Sequence, residues 1–170
     1  MTEQLDEDFR QFMHGRWSAM VRLAYGLTGD LGHAEDVAQA AFAKAYASWP
    51  RVIRAGNPDA YVRQIVINEN RNRFRRRRVR ELSTGSPPET GVRDPLRHVD
   101  DRSVLVAALQ ALAPRQRAVV VLRYWLDLSE AEAAAALNCS VGTVKSQASR
   151  ALAALRQSPA LAALVEGDLR

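Results

Sequence analysis

The sequence predicts an all-α protein made of two small helical domains. Three observations support this: apolar residues recur at helical spacing along most of the chain, no strand-like alternation of useful length occurs, and one segment rich in Pro, Gly, Ser and Thr interrupts the pattern. We interpret that segment as a flexible linker at 81–98. It separates an N-terminal domain at 1–80 from a C-terminal domain at 99–157, and a tail follows at 158–170.

Composition narrows the possible classes of protein. The chain has 170 residues, of which 47% are hydrophobic and 25% charged, as in ordinary soluble globular proteins. Aromatic residues make up only 6%, so we expect a core of Leu, Val and Ala. The single cysteine, Cys139, excludes an internal disulfide, and the three histidines lack ligand spacing, so we expect no metal and no other cofactor. The acidic N-terminus and the lack of a long apolar run predict a cytoplasmic protein with no signal peptide and no membrane insertion.

Three helices are predicted in the N-terminal domain. Apolar residues at helical spacing indicate a first helix over 9–27 and a second over 34–49. Pro50 is expected to end the second helix, which leaves 51–57 as a connector. The third helix is expected over 59–78, with an apolar first half and an arginine-rich second half.

The C-terminal domain is predicted to contain two helices, over 104–112 and 114–126, followed by two short ones. Ser129 begins an S-x-x-E capping box that opens the first short helix. Asn138 follows that helix in a tight turn, where asparagine tolerates a left-handed backbone. Ser140 is expected to cap the last helix. Two short helices joined by so short a turn fit a helix-turn-helix.

The last helix has two sides of different chemistry. Residues at i, i+4, i+7 and i+11 from Val144 are apolar and should pack, while the opposite side carries groups that can hydrogen-bond base edges. Its members are Thr143, Ser146, Gln147 and Arg150, and Lys145 on the flank suits a phosphate. The alternative is an amphipathic helix whose polar side faces water.

The third helix carries an arginine cluster with no acidic residue in it. Seven of the eleven residues at 70–80 are arginine, and such like charges repel one another unless an anion neutralises them. Asn68, Asn72 and Arg75 lie at i, i+4 and i+7, so a hydrogen-bonding stripe leads into the cluster. This predicts phosphate contacts by some of these arginines; the alternative is a solvated surface.

Two aromatic residues of this helix are candidates for stacking on an unpaired base. They are Tyr61 and Phe74, and for Phe74 we expect core packing rather than stacking.

The motifs resemble those of a known family. The stretch LNCSVGTVKSQASRAL at 137–152 resembles region 4 of the bacterial extracytoplasmic-function (ECF) sigma factors. The stretches AYGLTGDLGHAEDVAQAAFAKAYASW at 24–49 and NPDAYVRQIVINENRNRFRRR at 57–77 resemble their region 2. The order of the regions also matches that family. The motif LTGD followed by AEDVAQ most resembles the actinobacterial SigE-type subgroup.

The resemblance implies a dissociable subunit, without catalysis of its own, that directs core RNA polymerase to promoters and melts the DNA there. It implies as partners the clamp helices of core polymerase, promoter DNA and an anti-sigma factor. The residues implied to bind polymerase are Asp36, Gln39, Phe42 and Lys44.

The same resemblance implies two DNA contacts. The residues implied to bind the −10 element are Arg54, Asn57, Tyr61, Asn68, Arg71, Asn72, Arg75 and Arg76. The residues implied to bind the −35 element are Ser140, Thr143, Lys145, Ser146, Gln147 and Arg150.

Two other functions compete with this one. A helix-turn-helix regulator that acts without polymerase would explain the C-terminal domain alone. An enzyme acting on nucleic acid would need metal ligands, but adjacent acidic pairs such as Glu35 and Asp36 do not face the same way on a helix.

Overall fold

A computed structural model describes residues 2–85 and 101–168, without the side chains of 101, 102 and 164–168. Every element within these residues is helical, which confirms the all-α prediction. The chain divides into two compact units, residues 1–74 and 75–170.

The N-terminal part of the chain forms four helices. Gly29, with φ of 71°, ends the first in the left-handed conformation, and the Asp30 carboxylate caps the second by accepting from the backbone N–H of His33 at 2.7 Å. The break predicted between the first and second helices, after residue 27 and before residue 34, is therefore confirmed. The helices are α1 (Glu3–Thr28), α2 (Leu31–Ala47), α3 (Trp49–Arg54) and α4 (Pro58–Thr84).

The connector predicted at 51–57 is wrong in its first half, because residues 51–54 belong to α3. Pro50 lies in the first turn of this helix, where the missing N–H of proline costs little. Pro50, which was expected to end the second helix, therefore belongs to the first turn of the next one.

The arginine-rich helix is longer than predicted. It continues to Thr84, so residues 81–84 of the predicted linker are helical, and an ion pair of 3.1 Å between Arg77 Nε and Glu81 Oε1 supports the last turns. The rest of the predicted linker, 86–98, lies outside the described residues.

The core of the first unit consists of small aliphatic side chains around an aromatic cluster. Buried alanine, valine and leucine residues line α1 and α2, as the composition predicts. Neighbouring rings of the cluster lie 5.0–6.4 Å apart between centroids. Its members are Phe9, Phe12, Trp17, Phe42, Tyr46 and Trp49.

The second unit contains five further helices in its described residues. A π-helical segment, Val121–Trp125, directly continues α6, and the backbone N–H of Leu126 donates to Val121 O at 3.0 Å. The tail forms a helix that packs against α5 and α8. The helices are α5 (Asp101–Ala111), α6 (Pro114–Val120), α7 (Glu130–Leu137), α8 (Val141–Arg156) and α9 (Pro159–Asp168).

Candidate nucleic-acid and polymerase interfaces

The helix-turn-helix of the second unit is built as the sequence predicts. The Ser129 hydroxyl accepts from the N–H of Glu132 at 3.1 Å, and the Glu132 carboxylate accepts from the N–H of Ser129 at 2.8 Å, which completes the capping box. Asn138 ends α7 in the left-handed conformation, with φ of 52°. The Ser140 hydroxyl caps α8 by accepting from the N–H of Thr143 at 3.1 Å. These local bonds fix where α8 begins.

The exposed side of α8 differs from the predicted side by part of a turn. Val144, Ala148 and Ala151 are buried as expected. Lys145, Ser146 and Arg150 are exposed, whereas Thr143 and Gln147 are only half-exposed at the edge of the packed side. Ser149 is also exposed and was missed by the sequence reasoning. A helical wheel centred opposite the buried residues would have found it.

Two hydroxyls of this helix already have partners. The Thr143 hydroxyl lies 2.9 Å from the Ser140 hydroxyl, and the Ser146 hydroxyl donates to Thr143 O at 3.1 Å. Ser140 and Thr143 therefore serve the helix cap, and Lys145, Ser149 and Arg150 are the side chains that reach outward.

A shallow basic groove of about 290 Å³ runs beside α8. It brings together three cations and one carboxylate, Glu130, which lies 3.7 Å from Lys145 Nζ. The exposed Tyr124 ring also lines it, with the Arg123 guanidinium 5.6 Å from the ring centroid. The cations are Arg123, Lys145 and Arg156. A groove with this charge suits an anionic ligand such as a phosphate backbone.

Along α4, the polar residues predicted to read DNA follow one stripe. Asn68, Arg71, Arg75 and Arg76 are exposed, and Asn72 is half-exposed between them. Spacings of three and four residues place them on the same side of the helix. In the described part of the chain, no carboxylate pairs with any of these arginines.

The start of α4 holds the remaining predicted −10 residues. The Asn57 carboxamide oxygen accepts from the N–H of Ala60 at 3.0 Å and so caps the helix. The exposed Arg54 donates from Nε to Pro50 O at 3.1 Å, and Tyr61 is half-exposed.

The expected core packing of Phe74 is wrong, since the residue is 50% exposed. Ile67 is the last buried residue of α4, so by Phe74 the helix has run past the core. The ring is therefore accessible for stacking.

Of the four predicted polymerase contacts on α2, three are exposed. Asp36, Gln39 and Lys44 face solvent, while Phe42 is only 2% exposed inside the aromatic cluster. Phe42 therefore packs in the core behind the exposed residues of α2. Asp36 and Lys44 each form an ion pair with a residue of α4.

The described residues contain neither a candidate metal site nor a helix suited to cross a membrane. Among the described residues, no group of three His, Cys, Asp or Glu side chains could hold a metal ion. None of the helices in 2–85 and 101–168 is long and apolar enough to cross a membrane.

Comparisons with known proteins match both units. Residues 17–80 match the family "Sigma-70 region 2", and residues 102–155 match "Sigma-70, region 4". The RNA polymerase sigma-E factor of Streptomyces antibioticus is 40% identical over 150 residues, covering 88% of this chain and 83% of that protein. The Streptomyces coelicolor sigma-E factor is also 40% identical, covering 88% and 85%. The ECF sigma factor SigL of Mycobacterium tuberculosis is 34% identical, covering 79% of each chain.

Solved structures show the same similarity. The sigma factor RpoE of Bartonella quintana, crystallised with the anti-sigma factor NepR, has a TM-score of 0.76 and 26% identity, covering 89% of this chain and 96% of that one. CnrH, solved with the cytosolic domain of CnrY, has a TM-score of 0.63, covering 96% and 90%. At 24% identity, CnrH shows likeness of fold alone.

Proposed function

The chain belongs to the sigma-70 family, as an ECF sigma factor similar to the sigma-E factors, and from that membership we infer how its parts divide the work of promoter recognition. In this proposal α2 binds core RNA polymerase, α4 binds and melts the −10 element, and α8 reads the −35 element.

One observation carries this division. Two exposed helical faces carry cations and hydrogen-bonding groups, one on α4 and one on α8, and they lie in the segments that match region 2 and region 4. Cations hold phosphates, while asparagine, glutamine and arginine side chains read base edges. A protein that must engage two promoter elements needs two such faces.

The proposed contacts follow the exposure of each side chain. For the −35 element they are Lys145, Ser146, Ser149 and Arg150, with Gln147 at the edge and with Ser140 and Thr143 fixing the start of the helix. For the −10 element they are the α4 stripe with Tyr61, Arg54 and Asn57. For polymerase they are Asp36, Gln39 and Lys44, supported by Phe42.

The remaining properties follow from the relatives. RpoE was crystallised with the anti-sigma factor NepR, and we propose that this chain too is held inactive by an anti-sigma factor. We also propose that it works in the cytoplasm, where polymerase and promoter DNA are found, and that it has no catalytic activity of its own.

Transcription in vitro tests the proposal. Core RNA polymerase of S. coelicolor, the host of a 40% identical relative, would be combined with the purified chain on genomic templates, and transcript 5′ ends would be sequenced. We expect start sites that share two upstream sequence elements. No transcription above that of core polymerase alone would overturn the proposal.

A helix-turn-helix regulator acting without polymerase is not favoured. It would leave the match of residues 17–80 to region 2 unexplained.

A further inference from the structure

Two ion pairs connect the proposed polymerase-binding helix to the proposed DNA-binding helix within the first unit. Lys44 of α2 pairs with Glu69 of α4, and Asp36 of α2 pairs with Arg73 of α4, at 3.5 Å between Asp36 Oδ2 and Arg73 Nη1. Both α2 residues are among those proposed to contact polymerase. Neither α4 residue belongs to any contact proposed above.

The two pairs have opposite polarity. Glu69 and Arg73 are four residues apart and so lie on the same side of α4, and Asp36 and Lys44 are eight residues apart along one side of α2. The residue nearer the start of α2 pairs with the residue farther along α4. A shift of one helix along the other would bring like charges together, so the pairs fix the register of α2 on α4.

Glu69 is an unexpected residue for a helix that binds phosphates. It and Asp59 are the only acidic residues among 51–80, where ten arginines occur. Its side chain is only 16% exposed, whereas its partner Lys44 is 58% exposed. A carboxylate that is largely buried needs a cation beside it, so Glu69 holds the Lys44 ammonium at the surface of α2.

Arg73 is the corresponding exception among the arginines of α4. Two residues before Arg75, it lies well off the stripe of Asn68, Asn72 and Arg75, and its guanidinium turns to Asp36 instead. The Asp36 side chain is 61% exposed against 43% for Arg73. In both pairs the more exposed partner is the residue of α2, the helix proposed to meet polymerase.

We propose that Glu69 and Arg73 are positioning residues for polymerase binding: from the DNA-binding helix they hold Lys44 and Asp36 in place for the clamp helices. Each α2 side chain is held by one partner and keeps other hydrogen-bonding capacity for polymerase, since a lysine ammonium has three donors and a carboxylate two acceptor oxygens. Preorganised side chains lose less conformational entropy on binding. The proposal rests on the polymerase contacts proposed above.

The test measures the Kd of the full chain for S. coelicolor core RNA polymerase in the absence of DNA. The variants are Glu69→Gln, Arg73→Gln and the double variant. Each single change should weaken binding by about two- to fivefold, the range that partly exposed ion pairs support. Glu69→Gln removes a negative charge, whereas Arg73→Gln removes a positive charge. A general charge effect would therefore shift the two Kd values in opposite directions, whereas loss of positioning would weaken binding in both variants.

Matched controls carry the same charge changes elsewhere. Glu3→Gln and Arg22→Gln alter exposed α1 residues whose side chains take part in no ion pair or hydrogen bond of the described chain, and both should leave the Kd unchanged. The double variant Glu69→Gln with Arg73→Gln has the net charge of the natural chain and, if the two losses are additive in free energy, should bind about four- to twenty-five-fold more weakly. Wild-type affinity of the double variant would overturn the proposal.

A double-mutant cycle shows whether Arg73 acts through Asp36. Asp36→Asn alone should weaken polymerase binding, and adding Arg73→Gln should then cost nothing further. A full additional loss would mean that Arg73 contacts polymerase independently and would overturn the positioning role.

DNA binding separates positioning from a general loss of structure. A fluorescence assay with a nonspecific duplex should show that free Glu69→Gln protein binds DNA as well as wild type or better, because α4 has lost its negative charge. A parallel fall in DNA and polymerase binding would indicate a misfolded unit and overturn the proposal. Failure of the wild-type chain to bind core polymerase would overturn the proposed function as well, whereas tight binding by wild type and all variants would overturn only this inference.

Discussion

At the scale of single residues, one arginine side chain joins α5 to α6. Arg117, on α6, donates to the backbone carbonyls of Leu109, Gln110 and Leu112 at 2.9, 3.0 and 3.1 Å. These carbonyls lie at or just after the C-terminal end of α5, where the last carbonyls of a helix lack N–H donors from a following turn. Burial lowers the pKa of Arg117, but the guanidinium stays charged at any ordinary pH. The C-terminal end of α5 thus depends on a residue of the next helix.

Replacing this arginine should destabilise the second unit selectively. Arg117→Met keeps the apolar stem but removes three charge-assisted hydrogen bonds to these carbonyls, so we expect a loss of about 2–4 kcal/mol in the free energy of unfolding. Hydrogen exchange on the full chain would show lost protection in 103–156 and unchanged protection in α1 and α2. Arg115→Met, at an exposed residue of α6, is the control and should leave protection unchanged.

Tyr46 provides a pH-dependent prediction. Its hydroxyl donates to Asp6 Oδ1 at 3.0 Å, and this bond, together with the negative charge, favours the protonated phenol and raises its pKa above the ordinary value of 10.0. Asp6→Asn should therefore lower the pKa of Tyr46, as measured by NMR titration of the tyrosine ring. An unchanged Tyr46 titration would contradict the bond.

The residue-scale features differ in how far sequence could predict them. Asn138 and Ser140 act on their own neighbours, so their roles in the turn and the cap followed from local spacing. The bonds of Arg117 span five to eight residues and depend on how two helices pack, which no periodic pattern encodes. For the same reason Glu69 drew no attention in the sequence, because its partner is 25 residues away.

At the scale of elements, α4 distributes its arginines between two tasks. Arg73 and Arg77 have carboxylate partners, Asp36 and Glu81, whereas Arg75 and Arg76 have none in the described residues. The length of α4 exceeded the prediction because the whole of 81–98 was interpreted as a linker, whereas Glu81 continues the helix and pairs with Arg77. The helix α3 was missed because proline was taken as a stop signal, although it also favours a first turn.

The salt dependence of promoter binding should distinguish the two groups of arginines. Arg75→Gln and Arg76→Gln in the holoenzyme should each reduce the slope of log affinity against log salt by about one unit, because each removes one phosphate contact. Arg77→Gln should leave the slope unchanged. Equal effects at all three positions would refute a stripe-specific contact.

The helix α8, proposed to read the −35 element, gives a second prediction at the scale of elements. Arg150→Ala and Ser149→Arg, both on the exposed side of α8, should change which upstream sequence the holoenzyme prefers, the loss of Arg150 costing about 1–3 kcal/mol at one base pair. Selection from a randomised −35 element would measure this. Thr143→Ser keeps the hydroxyl that serves the cap and should retain the natural preference.

At the scale of the whole molecule, the chain consists of two units, and the two proposed DNA-binding faces lie on α4 and on α8. The division into two units and the type of each motif were accessible from sequence, because a change in composition and two dense local motifs mark them. The exposed side of α8 was accessible too but was predicted wrongly, because the prediction followed the hydrogen-bonding side chains and not the positions opposite Val144, Ala148 and Ala151.

A footprint of the holoenzyme on one promoter tests the division of labour. The wild-type chain should protect two separate segments upstream of the start site. Arg150→Ala should weaken protection of the distal segment, and Arg75→Gln should weaken protection and melting of the proximal one. Uniform loss at both segments for both variants would refute the assignment of one element to each unit.

The aromatic cluster makes the proposed polymerase surface observable without a label. The Trp17 ring lies 5.8 Å from the ring of Phe42, a residue of α2, while the chain's other indoles are Trp49 and Trp125. With those two replaced by phenylalanine, the tryptophan emission of the chain would come from Trp17 alone. The wavelength and the quenching of the Trp17 emission would then report, in real time, when core polymerase covers α2.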